Sequence, residues 1–134
     1  DEKLITNLLS WMHKNQADYT NTFYSLIKKD HLGNKLFKDS VFLNWHHRWQ
    51  SRLKQNKRPK EFSLSLMRDT NPAIIPRNHK VEEALIAASS KGELGPLYSL
   101  IEVLKRPYKS RPGITNYQHP PTPNNKVYKT FCGT

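Results

Sequence analysis

Apolar residues recur with helical spacing from the first turn of the chain. Leu4, Ile5, Leu8, Leu9 and Met12 fall on one stripe of a helix that runs to about His13. "ADYTNTFYSLIKK" follows, with Asp18 placed to cap it and Tyr19, Phe23, Leu26 and Ile27 on a shared face. Asn and Gly in "DHLGNK" mark a break. The strongest pattern is "DSVFLNWHHRWQSRLKQ", which Asp39 or Ser40 can cap. Phe42, Trp45, Trp49 and Leu53 stack along one side of it.

The next stretch, "EFSLSLMRDT", alternates Phe62, Leu64 and Leu66 with serines, as a strand does. Nothing else in the chain offers a partner strand, and a lone strand leaves its backbone unsatisfied. Helix or turn is therefore expected. In "NPAIIPRNHKVEEAL", Asn71-Pro72 reads as a cap followed by proline at the first helical position. Pro76 should end that short turn, and Asn78 should cap a longer helix carrying Val81, Leu85 and Ala88 up to Lys91-Gly92. Pro96 opens a further helix with Leu97, Leu100, Ile101 and Leu104, halted at Arg106-Pro107. The two helices around "KGELG" form an αα-hairpin.

After Pro107 the chain is rich in Pro, Asn and Thr and loses its periodicity. The expected fold is all-α: a small domain of five to six helices over residues 1–106, then an extended Pro-rich tail over 107–134.

A length of 134 residues suits one compact domain with a modest core. Lys and Arg number 22 against 11 Asp and Glu, a formal net charge of +11. That excess favours acidic partners such as nucleic acid, nucleotide or an acidic protein surface. A solvated basic surface, or one half of an interface with an acidic domain, accounts for it equally well. The opening "DEKLITNLLSWMHK" has neither a signal-peptide nor a transit-peptide pattern, and the longest apolar run, "ALIAA", is too short to cross a bilayer. The chain starts at Asp1 rather than Met, as a fragment or a processed product would.

Catalytic motifs are missing from the sequence. It has no Gly-x-Gly-x-x-Gly loop, Walker A motif or Gly-x-Ser-x-Gly elbow. His13, His31, His79 and His119 are scattered, and the adjacent His46 and His47 would diverge on a helix, so no metal site is expected. Glu82 and Glu83 diverge for the same reason. Arg77, just before a helix start, can bind an anion together with the free N–H groups there, or be taken up by an ion pair within the fold. The single cysteine, Cys132, excludes an internal disulfide. Lying near Lys129 in a tail with little to bury it, Cys132 is either a reactive thiol or an incidental one.

The blocks "ADYTNTF", "FLNWHHRWQSRL", "NPAIIPRNHKVEEALIAA", "LIEVLKRPY" and "YKTFCGT" resemble, in this order, the C-terminal part of selenoprotein O family proteins. Together they cover most of the chain, and "NPAIIPRNH" with the near-terminal cysteine is the most specific. The resemblance implies a longer protein with a protein-kinase-like fold. Such proteins bind ATP in a reversed pose with Mg2+ or Mn2+ and transfer AMP to Ser, Thr or Tyr hydroxyls of target proteins. It further implies that the nucleotide and metal ligands lie in the upstream kinase-like domain, so this stretch binds no cofactor and is catalytically silent alone. Cys132 takes the place of the family's near-terminal cysteine or selenocysteine, which pairs with a thiol of that domain and makes activity redox-dependent. The chain ends Cys-Gly-Thr where other branches end Cys-Ser-Ser, and "TPNN" stands where a tryptophan often follows the Pro-Pro pair.

Asn71, Pro72, Arg77, Asn78 and His79 belong to the family motif and are candidates for interdomain or anion contacts. The expected partners are the upstream kinase-like domain and the protein substrates, with no membrane. The expected compartment is the bacterial cytoplasm, or mitochondria for a eukaryotic chain. Two other readings remain. One is a basic helical module that binds nucleic acid through Arg48 to Lys60, with base stacking on the tryptophans set against their use as core. The other is a helical protein-docking domain.

Overall fold

The computed structural model describes residues 1–28 and 35–122. Every regular element among them is helical, as the pattern requires. The chain divides into two units, Asp1–Pro72 and Ala73–Thr134, the second described as far as residue 122.

The first unit holds α1 (Glu2–Lys14), α2 (Tyr19–Ile27), a 3-10 turn (Lys35–Lys38), α3 (Ser40–Lys54) and α4 (Lys60–Thr70). Both expected aspartate caps form. Asp18 Oδ1 accepts from the Asn21 amide at 2.8 Å, and Asp39 accepts from the Phe42 amide. Each places negative charge against the positive end of a helix dipole.

Leu8, Trp11, Met12, Leu26, Phe37, Phe42 and Trp45 make the core. Phe42 lies at its centre, with the rings of Trp11, Phe37 and Trp45 at 4.7, 4.9 and 5.6 Å. Burying an indole requires a partner for its N–H. Trp11 Nε1 donates to Asp39 Oδ2 at 2.6 Å, and Trp45 Nε1 donates to the Leu4 carbonyl at 2.8 Å. Trp49 stacks on Trp45 at 5.8 Å and packs against the core. The tryptophans are thus core rather than a base-stacking platform.

Two buried faces differ from the apolar stripes. In α1 the inner face is Leu8, Trp11 and Met12, while Ile5 and Leu9 stay exposed. In α2 Thr22, Tyr24 and Leu26 are buried and Tyr19 is exposed. The Thr22 hydroxyl donates to the Asp18 carbonyl at 2.7 Å, which removes the cost of burying it. The alternating "EFSLSLMRDT" is helix α4. At i and i+4, Phe62 and Leu66 share the outer side, and Leu64 turns inward.

The second unit contains α5 (Asn78–Lys91), α6 (Gly95–Leu104) and a single turn, α7 (Thr115–Gln118). Helices α1 to α6 all lie within residues 1–106, in agreement with the five to six expected there, and α7 lies beyond them. Helices α5 and α6 pack as the αα-hairpin, with Ala84 and Leu100 buried. Leu85, expected inside, is exposed. Ala84, one residue earlier, takes the inward position, and neighbours in sequence point about 100° apart on a helix.

Gly92 ends α5 at φ 67°, and the Glu93 amide closes onto the Ala87 carbonyl at 3.0 Å. A Cβ at Gly92 would meet no atom within 4 Å, so only backbone strain opposes a side chain there. Gly92→Ala is therefore expected to lower stability by about 1 kcal/mol in a thermal melt, with Gly92→Asn milder.

Asn71-Pro72 does not begin a helix. Asn71 closes α4 instead: its amide and its Nδ2 both donate to the Met67 carbonyl, at 2.8 and 3.0 Å. Asn can satisfy a trailing carbonyl as readily as a leading amide, and here the helix behind it takes precedence.

Candidate functional site

The motif segment leads from the last residues of the first unit into the start of α5. In the second unit, Ala73 and Ile74 are fully buried, and their amides converge on the Pro107 carbonyl at 2.7 and 3.2 Å. Further along, Gln118 Nε2 donates to the Ala73 carbonyl at 2.7 Å. Arg77 Nη2 donates to the Gln118 carbonyl at 3.0 Å. Residue 118 is therefore held both through its side chain and through its backbone. Ile114, just before α7, is also buried, at 2 % exposure. These ties form a clasp in which the stretch after Pro107 folds back onto "AIIPR".

Local sequence explains the shape of the clasp. Pro72 and Pro76 keep the intervening backbone out of the helical region, so its N–H and C=O groups are free to bond elsewhere. Arg77 occupies the N-cap position of α5 without a side-chain cap, and its guanidinium turns into the unit at 9 % exposure. Asn78 is exposed at the first helical position, and His79 is half-buried with its Nδ1 lacking a hydrogen-bond partner among the described residues. Arg77, Asn78 and His79 thus sit together at the start of α5. Asn71 and Pro72 belong to the first unit, and Cys132 lies outside the described residues.

Two residues of this region were not singled out from sequence. Arg111 donates to the carbonyls of Glu102, Val103 and Arg106 at 3.0, 2.9 and 3.3 Å, closing the end of α6. A cation shortly after a helix end is a legible sign of that role. Nothing local marks Gln118. Beside Arg111, the Lys105 ammonium bonds to the exposed Glu102 carboxylate and holds its pKa below the ordinary value.

Acid–base or metal chemistry would need clustered carboxylates, imidazoles or thiols. Among the described residues, no three His, Cys, Asp or Glu stand close enough to hold a metal ion. A cleft of about 690 Å³ runs beside α1 and the start of α3, lined by Lys14, Asn44 and Arg48 among others. Its one carboxylate, Asp39, is already engaged by Trp11 and the Phe42 amide. No helix among the described residues is long and apolar enough to cross a membrane.

Comparison with known proteins gives these residues a context. The family model described as protein adenylyltransferase SelO matches residues 1–105, which takes in both units through α6. Protein nucleotidyltransferase YdiU of Alcanivorax borkumensis is 46% identical over all 134 residues, which cover 28% of that protein. The proteins of the same name from Syntrophotalea carbinolica and Nitrosococcus oceani are 48% and 44% identical, again over the whole chain and 27% of each. The chain therefore spans little more than a quarter of the relatives it matches. An ordered run of motif blocks, an all-helical fold and near-half identity across the full stretch lead to one conclusion: this chain belongs to the SelO family.

Proposed function

We propose that this stretch is the C-terminal structural and redox-regulatory region of a protein that transfers AMP from ATP to Ser, Thr or Tyr hydroxyls of target proteins. The observation that carries this reading is the identity of 44% to 48% over the whole stretch with proteins named nucleotidyltransferases. In this reading ATP and a divalent ion are held by a kinase-like part outside these residues. The ion would neutralise charge on the phosphates as the α-phosphoryl group is attacked. The two helical units contribute a scaffold against that part. Asn71, Pro72, Asn78 and His79 contact it, and Arg77 supports the segment from within. Cys132 pairs with a thiol there, which ties activity to redox state.

The test uses the full-length protein with ATP labelled on the α-phosphate or, separately, on the γ-phosphate, with and without reductant. Label retained from the α-position alone is expected, with a reductant effect that disappears in Cys132→Ser. The relatives' name leaves the nucleotide open, so the other α-labelled nucleoside triphosphates run alongside. Label from the γ-position alone would make the protein an ordinary kinase. No label from any of them would return the basic stretch from Arg48 to Lys60 to consideration as a nucleic-acid surface.

A further inference from the structure

The first unit carries a small cleft where α1, α2, α3 and α4 meet, with a volume of about 160 Å³. Its floor is core: Leu8, Leu26 and Trp45, each about 5 % exposed. Phe23, Trp49 and Met67 are partly buried walls. Ile5 and Leu9 stand at the rim, 60 % and 42 % exposed. Every lining side chain is apolar, and the N–H of Trp45 is already bonded to the Leu4 carbonyl.

The size decides what fits. Sites for cofactors and metabolites are typically about 300–1,000 Å³ and place a few polar groups to orient the ligand. This cleft is smaller and offers no such group, so it matches one leucine or phenylalanine side chain rather than a small molecule. An apolar hollow with two branched aliphatics on its rim loses free energy in water and gains it when covered.

We infer that this cleft is a socket for one apolar side chain presented by the remainder of the same full-length protein. This rests on the reading above, that the stretch works as part of a larger chain. Nearly three quarters of each YdiU relative lies outside the matched residues, so a large body of chain is tethered beside these helices. A tethered partner acts at high effective concentration, and a single inserted side chain then suffices for docking. A second copy of this chain is the poorer occupant, because two surfaces of net charge +11 repel.

Photocrosslinking in the full-length protein tests the inference. Ile5 is replaced by benzoylphenylalanine, the sample is irradiated, and the linked peptides are identified by mass spectrometry. The expected product is an intramolecular link, in the monomer band, from position 5 to a peptide outside these 134 residues. Links between two chains would overturn the socket in favour of self-association. Links confined to these residues, or none at all, would show an open cleft and overturn it as well. Ile5→Asp gives an independent reading. A covered rim predicts a lower melting temperature and faster amide exchange in α1, whereas no change in either opposes the inference. Nucleotide transfer is scored separately on the unmodified protein. A crosslink without α-phosphate transfer leaves the docking standing and removes the enzymatic reading; transfer without a crosslink does the reverse.

Discussion

Phe42→Ala is expected to destabilise the first unit by about 3–5 kcal/mol, toward the upper end of that range. The reason is the rigidity of the rings around it. Phe42 is fully buried, with Trp11 and Phe37 less than 5 Å away between ring centroids. A vacated site costs least when its neighbours can collapse into it. Here Trp11 is tethered through its N–H to Asp39, and Trp45 through its own to Leu4, so neither ring can follow the lost side chain inward. The cavity stays open and its lining loses dispersion contacts outright. In a thermal melt of the full-length protein, the transition that includes these helices should fall by on the order of 10 °C. Phe42→Leu keeps most of the volume and should cost less than about 1.5 kcal/mol. Equal shifts for the two variants would mean that the surrounding indoles relax and that their hydrogen bonds do not fix them.

The features legible in the sequence are those whose cause is local. Asp18 and Asp39 cap because a short acidic side chain reaches an amide three residues on. Gly92 ends α5 because only glycine takes its left-handed geometry without strain. Pro96 starts α6 because its missing N–H costs nothing in a first turn. Asn71-Pro72 reads locally as a beginning, and the structure makes Asn71 an end, because the helix behind it has the unsatisfied carbonyl. The α1 stripe shows a different limit. Periodicity puts Ile5, Leu8 and Leu9 on one apolar side, but which part of it is buried depends on α3, some 40 residues away. The same is true of the candidate site. The resemblance marked Arg77 as part of a motif, while its hydrogen-bond partner sits 41 residues later at Gln118, a position with no pattern of its own.

That distant pairing gives the second large effect. Arg77→Ala removes a charge-assisted bond from a buried guanidinium to the Gln118 carbonyl. Such bonds are worth about 1.5–3 kcal/mol, and deletion also leaves a void where a buried side chain stood. The loss should be local. The bonds from residues after Pro107 to "AIIPR" close a surface segment rather than the hairpin core, so they should open before the rest of the second unit melts. Limited proteolysis of the full-length protein should therefore cut after α7 about ten to a hundred times faster in Arg77→Ala, that ratio following from the energy above. Arg77→Lys should not restore protection, because one flexible ammonium cannot reproduce a planar fork aimed from a buried position. Gln118→Ala removes the tie from Nε2 to Ala73 and leaves the carbonyl that Arg77 uses. If the two ties secure the same turn, the double variant should lose less than the sum of the singles, since freeing residue 118 through one tie weakens the other. Strict additivity would show two independent anchors. An Arg77→Ala protein with unchanged melting, cleavage and nucleotide transfer would show that the motif's arginine has no part in holding the segment that leads toward Cys132.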